Sequence, residues 1–216
     1  PKPEPRLSAE ARLETEKVVR EVEPKGTEEK VWIAWITPAL YEEGDAELDI
    51  VSDLLAGGKD SRLYSRLVKE TKLARSVEAY QYSARLHGQY IIEAVAASGH
   101  TTDELVAEID SVLQELLESG PTADEIERAK VGWEVNFYQG LQSISAKANR
   151  LSSYNTMTGD PGYISTDLAR YQGVTAEGAH SILKEWLPLD RRVVLHVTPP
   201  PADETPSPAE PTSEEK

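Results

Sequence analysis

From Lys30 to Pro38 the chain reads as a nearly unbroken apolar run, Val31-Trp32-Ile33-Ala34-Trp35-Ile36, closed by proline, and this predicts a buried strand. Before it, Val18-Val19 and Val22 sit among charges within 12–23, predicting a half-exposed strand lying beside the buried one. The period then changes. Asp45 can cap a helix that carries Leu48, Ile50, Val51, Leu54 and Leu55, and Gly57-Gly58 end it with residues able to take positive φ. A short helix with Leu63, Leu67 and Val68 follows. Val77, Ala79 and Gln81 alternate with Glu78, Tyr80 and Tyr82, so 75–86 and 89–97 read as a hairpin turning at His87-Gly88.

The second half is helical by pattern. Thr101-Thr102-Asp103-Glu104 is a capping box ahead of Leu105, Ile109, Val112, Leu113, Leu116 and Leu117, spaced by three and four; Gly120-Pro121 breaks that helix. Thr122-x-x-Glu125 opens a long helix to about residue 148, with a continuation toward Thr158. Asp160-Pro161 starts a short helix, Thr175 starts a last one to about Trp186, and 191–197 is the closing strand. The predicted order is β-β-α-α-β-β-α-α-α-α-β, an α+β domain with a largely antiparallel sheet covered on one face by helices. Residues 1–9 read as a linker, 10–198 as one domain, and 199–216, rich in Pro and Glu, as a disordered tail. The Pro-Lys-Pro-Glu-Pro opening, without Met or a signal sequence, predicts a piece of a longer protein.

Composition narrows the chemistry. A net charge of −15 argues against binding nucleic-acid phosphates or an anionic membrane, and its ordinary reading is a solvated surface. The absence of cysteine excludes disulfides, Cys-ligated metals and thiol nucleophiles. No apolar run reaches the length of a membrane span.

The stretch Leu54-Leu55-Ala56-Gly57-Gly58-Lys59-Asp60-Ser61-Arg62-Leu63, followed by Leu67-Val68-Lys69-Glu70-Thr71-Lys72-Leu73-Ala74-Arg75-Ser76-Val77, resembles the second half of a protomer in the insulinase/pitrilysin family of zinc metallopeptidases. There a G-G-x-S-S-R-L turn is followed by L-R-E-K-x-G-L-A-Y-S-V; Gly159-Asp160-Pro161-Gly162-Tyr163 extends the match, which runs from about residue 10 to about residue 200. The family's zinc site, H-x-x-E-H, needs two histidines on one helix face with a glutamate as general base. His87, His100, His180 and His196 have no such spacing, so no catalytic residue, metal ligand or cofactor is assigned to this chain. The resemblance implies the family's non-catalytic domain. Its partner would be a zinc-bearing insulinase-family domain or subunit holding the zinc, its substrate a peptide, and its location a bacterial periplasm or envelope.

Individual residues carry two readings each. Gly57-Gly58 lack any phosphate-loop pattern and read as a helix-ending turn, while the resemblance implies that a glycine-rich loop here handles substrate. The family's Arg and Tyr, seven residues apart and reaching toward the zinc, correspond to Val68 and Arg75, so both positions depart from the pattern. Arg75 reads as a surface arginine at a strand start, or as a guanidinium aimed at a peptide. Gly57, Gly58 and Arg75 are thus the substrate-proximal candidates. Ser61, Ser65 and Ser76 have no adjacent base, Asp124, Glu125 and Glu127 suit a helix start, and Trp32, Trp35, Trp133 and Trp186 read as core or interface anchors. Two functions remain open: a second-half domain that encloses peptide with a zinc-bearing partner, or a structural and assembly domain of the same fold, like the core subunits of respiratory complexes.

Overall fold

The computed structural model describes residues 13–201; the expectations for 1–9 and 202–216 fall outside them. Five strands, β1 (Lys17–Val22), β2 (Lys30–Thr37), β3 (Ala74–Tyr82), β4 (Gly88–Ala96) and β5 (Val193–Thr198), form one sheet in the order β1-β5-β2-β4-β3. Only β1 and β5 run parallel; every other pair is antiparallel. The expectation that β1 lies beside β2 is corrected, because β5 comes between them. All six residues of β1 are exposed, with charges at Lys17, Arg20 and Glu21, which suits a sheet edge, whereas the more apolar β5 fits the interior.

Along β2 the burial alternates strictly: Val31, Ile33 and Trp35 are buried, Trp32, Ala34 and Ile36 half-buried. The buried set faces helices α2 (Thr102–Ser119) and α6 (Ala176–Trp186), while α1 (Asp45–Ala56) packs against β3. Leu48, Ile50 and Leu55 of α1, Leu105, Ile109 and Leu116 of α2 and Leu183 of α6 complete one core with Tyr90, Ile92, Ala94 and Val194 of the sheet. A side chain of this size contributes about 1.5–3 kcal/mol when fully buried, so this single face dominates the stability. Buried Arg192, just before β5, grips Asp110 of α2 at 2.5 and 2.7 Å and Glu16 at 2.9 Å, fastening helix to sheet.

Several boundaries move. The capping boxes at Thr101/Glu104 and Thr122/Glu125 form as expected. The long helix from 122 is instead two, α3 (Ala123–Gly140) and α4 (Ile144–Thr158): α3 stops at the poor helix former Gly140, and Ser143 caps α4 by accepting from the Ala146 amide. Asp160-Pro161 lie in a turn, where the Asp160 carboxylate accepts from the Gly162 amide at 2.7 Å, and α5 (Ile164–Gln172) begins after it. The hairpin turn spans 83–87, wider than His87-Gly88; Gly88 opens β4, where a Cβ would come within 2.7 Å of Pro38 O and Thr37 Oγ1. Tyr64–Glu70 is a π-helix, closed by Thr71 N donating to Arg66 O five residues back.

Candidate functional site

At the glycine turn, neither Gly57 (φ −71°) nor Gly58 takes positive φ, correcting the expectation. Gly57 is needed for space, since a Cβ there would lie 2.7 Å from Asp53 Cα and press on its carboxylate; Gly58 faces nothing within 4 Å. Ser61 Oγ donates to Gly58 O at 2.6 Å and closes the turn. The next residue, Arg62, reaches Glu125 with Nε at 2.7 Å and Nη2 at 2.9 Å. That bidentate hydrogen-bonded pair, aided by the Thr122 amide and hydroxyl, brings the Glu125 carboxyl down to about 2. The arginine of the G-G-x-x-S-R-L stretch therefore docks α3 against the turn. Its role was missed in the sequence, where Arg62 and Glu125 stand far apart.

Arg75 is 62% exposed and pairs with Glu28 of the β1–β2 loop. Val68 is half-buried on the π-helix and packs against the core. The two share no function that either side chain expresses, and the Arg75 charge already has a partner. Lys72 stands where the family wording has glycine and takes the left-handed conformation, φ 58°, that such a glycine would accept without strain. The histidines are dispersed: His180 Nε2 bonds Leu117 O at 2.8 Å, buried His196 bonds Thr102 Oγ1 at 2.8 Å, and burial pushes the His196 pKa down. Among the described residues no three His, Cys, Asp or Glu side chains gather as a metal site would require.

A polar cluster that the sequence did not reveal lies where α1 meets α5. Asp45, Asp49 and Asp53 recur every four residues and share one face of α1. Asp45 does not cap the helix, since Gly44 (φ 93°) holds that position; it is buried instead, accepting from the Tyr41 amide, from Ser83 Oγ and from Arg170 Nη2 at 2.9 Å. Arg170 also holds Asp167, which accepts from Tyr154 Oη at 2.7 Å. Asp49 receives Tyr171 Oη at 2.6 Å, and the Tyr171 ring stacks on Trp133. Burial chiefly, with Asp45 and Asp167 nearby, lifts the Asp49 carboxyl to about 7 against the Tyr171 hydrogen bond and the Arg170 charge. These groups lock α5 onto α1.

The sheet face opposite the helices is not covered by any other element among the described residues. In register across the strands run Val19, Leu195, Trp32, Glu93 and Glu78; the next row is Lys17, Val193, Ala34, Ile91 and Tyr80; Ile36, Gln89 and Tyr82 follow. Trp32, Ile36, Ile91 and Leu195 lie outside the packed core, although all four are partly covered by their neighbours. Tyr80 and Tyr82, 37% and 64% exposed, continue this face to the β3 edge. The face is mixed, its apolar side chains standing among Lys17, Glu78, Gln89 and Glu93.

Compared with known proteins, residues 1–132 match the family model described as the peptidase M16 inactive domain. The zinc protease PqqE of Helicobacter pylori is 28% identical over 127 residues, covering 57% of this chain and 28% of that protein. A protease from Helicobacter pylori of known structure aligns with TM-score 0.80 at 19% identity, over 88% of this chain and 46% of the other. A chain of Complex III2 from Candida albicans aligns with TM-score 0.72 at 15% identity, over 85% and 45%. At these identities the structural likenesses speak for the fold alone. The chain spans less than a third of the curated relative and less than half of either solved chain.

Proposed function

The chain belongs to the peptidase M16 inactive-domain family, and from that premise we propose that it is the non-catalytic partner of a zinc-bearing domain, closing over it to enclose peptide. The observation that carries this reading is the uncovered sheet face: Trp32, Ile36, Ile91 and Leu195, spread over three neighbouring rows, gain free energy by leaving water, at about 25 cal/mol per Å² of apolar area. Zinc, with the general base beside it, belongs to the partner, since the four histidines here are dispersed and Asp45 and Asp49 of α1 are occupied by Arg170 and Tyr171. Gly57, Gly58 and Arg75 are its substrate-proximal positions, with the glycine turn held rigid by Ser61 and Arg62.

The test is cleavage of a fluorogenic peptide library by the chain, by the zinc-bearing domain and by both together. The chain alone is expected to give no metal-dependent turnover, the mixture more than the zinc-bearing domain alone, and Trp32→Glu a loss of that gain. Full activity of the zinc-bearing domain by itself refutes enclosure. The structural and assembly reading then becomes the better one; it is favoured by Val68, which offers no hydrogen bond or charge, and by Arg75, already paired with Glu28.

A further inference from the structure

β1 ends the sheet, paired with β5 on one side and, among the described residues, with no strand on the other. Lys17 N donates to Arg192 O at 2.8 Å and Glu23 N to Thr198 O at 2.9 Å. The odd-numbered residues therefore face β5, and the alternation of a ladder turns the N–H and C=O groups of Val18, Arg20 and Val22 outward. Val18, Val19 and Val22 are 53%, 39% and 53% exposed, so a strand edge with apolar side chains meets water. Charges ordinarily guard such an edge against pairing. Here two of them, Lys17 and Glu21, are opposite in sign and share one face of the strand. Among the described residues neither makes an ion pair, whereas Arg20 is held by Asp103 and Glu16 by Arg192.

We propose that β1 pairs antiparallel with β1 of a second copy of this chain, about a two-fold axis at Val19. Outward backbone groups at even positions must meet each other, so even residues stand opposite even residues. Of the registers this allows, the one that sets Val19 against Val19 places Lys17 opposite Glu21 of the second copy, and symmetry repeats that pair. Val18 and Arg20 then exchange backbone hydrogen bonds across the axis. Lys17 and Glu21 fall at the positions without hydrogen bonds, where facing side chains come closest. A shift to either side spoils the match: one sets Arg20 against Arg20, the other sets Lys17 against Val19. The edge is thus complementary to itself in a single register. The contact is small and the dimer weak, and it leaves the sheet face free for a zinc-bearing domain.

The experiment is sedimentation of the intact chain over a range of concentrations, for wild type, Lys17→Glu, Glu21→Lys, the double exchange, an equimolar mixture of the two single variants, and Val18→Pro. Wild type is expected to pass from monomer to dimer as concentration rises. Each single variant turns two attractions into two repulsions and is expected to dimerise at least roughly tenfold more weakly, while the double exchange and the mixture regain the dimer. Val18→Pro removes an outward N–H that β5 does not use, so it is expected to abolish the dimer with Tm unchanged. A wild type that stays monomeric throughout, or a dimer that survives the single charge reversals, overturns the proposal. A monomeric wild type that binds the zinc-bearing domain and loses that binding on Val18→Pro assigns the edge to that domain instead.

Discussion

Asp49→Asn should remove a pH dependence from the stability of this domain. Burial pushes the Asp49 carboxyl up to about 7 in the folded chain, against 3.8 for the unperturbed group. The folded state therefore binds a proton that the unfolded state has already released over this interval. For a group with raised folded pKa, its contribution is complete below the unfolded value and is lost as pH rises toward the folded value, at about 1.4 kcal/mol per pH unit. Between pH 5 and 7 this amounts to roughly 3 kcal/mol, and above 7 it levels off. Asparagine keeps an oxygen to accept from Tyr171 Oη but takes no charge. Urea unfolding of wild type and Asp49→Asn at half-unit steps from pH 5 to 8 isolates the effect, because the other titrating groups cancel in the difference. Wild type should lose roughly 3 kcal/mol of unfolding free energy relative to the variant between pH 5 and 7. Parallel stability curves across that interval would refute the claim that burial holds the Asp49 proton.

Arg62→Ala should cost about 2–4 kcal/mol in urea unfolding, since it leaves Glu125 partly buried without its cation, and Arg62→Lys should recover only part of this for want of the bidentate fork. Gly57→Ala should destabilise by about 1–3 kcal/mol, whereas Gly58→Ala should be within about 0.5 kcal/mol of wild type; equal effects would contradict the steric account of this turn. Lys72→Gly should stabilise by about 1 kcal/mol, because a left-handed φ is strained for lysine and free for glycine, and a lower Tm for this variant would contradict it.

Local rules decided a good deal from the sequence alone. The capping boxes at Thr101 and Thr122 formed because a hydroxyl and a glutamate three residues later satisfy orphan amides without help from the rest of the chain. The alternation in β3 gave its inner and outer faces, because the strand period is two residues whatever the neighbours, whereas the continuous apolar run of β2 left its faces to the tertiary structure. The resemblance around Gly57-Gly58 was equally local, and the family match over residues 1–132 bears it out. Tertiary structure decided what depends on partners distant in sequence. It placed β5 between β1 and β2, since backbone pairing carries no code for strand order. It made Arg62 a clamp on Glu125, and turned Asp45 from an expected cap into a buried acid held by Arg170, 125 residues away. It raised the Asp49 carboxyl, because desolvation comes from α5 packing over α1 and leaves no mark on the sequence around residue 49. It also put Glu78 against Glu93 on the bare face, a juxtaposition fixed by hairpin register, which the width of the turn at 83–87 sets.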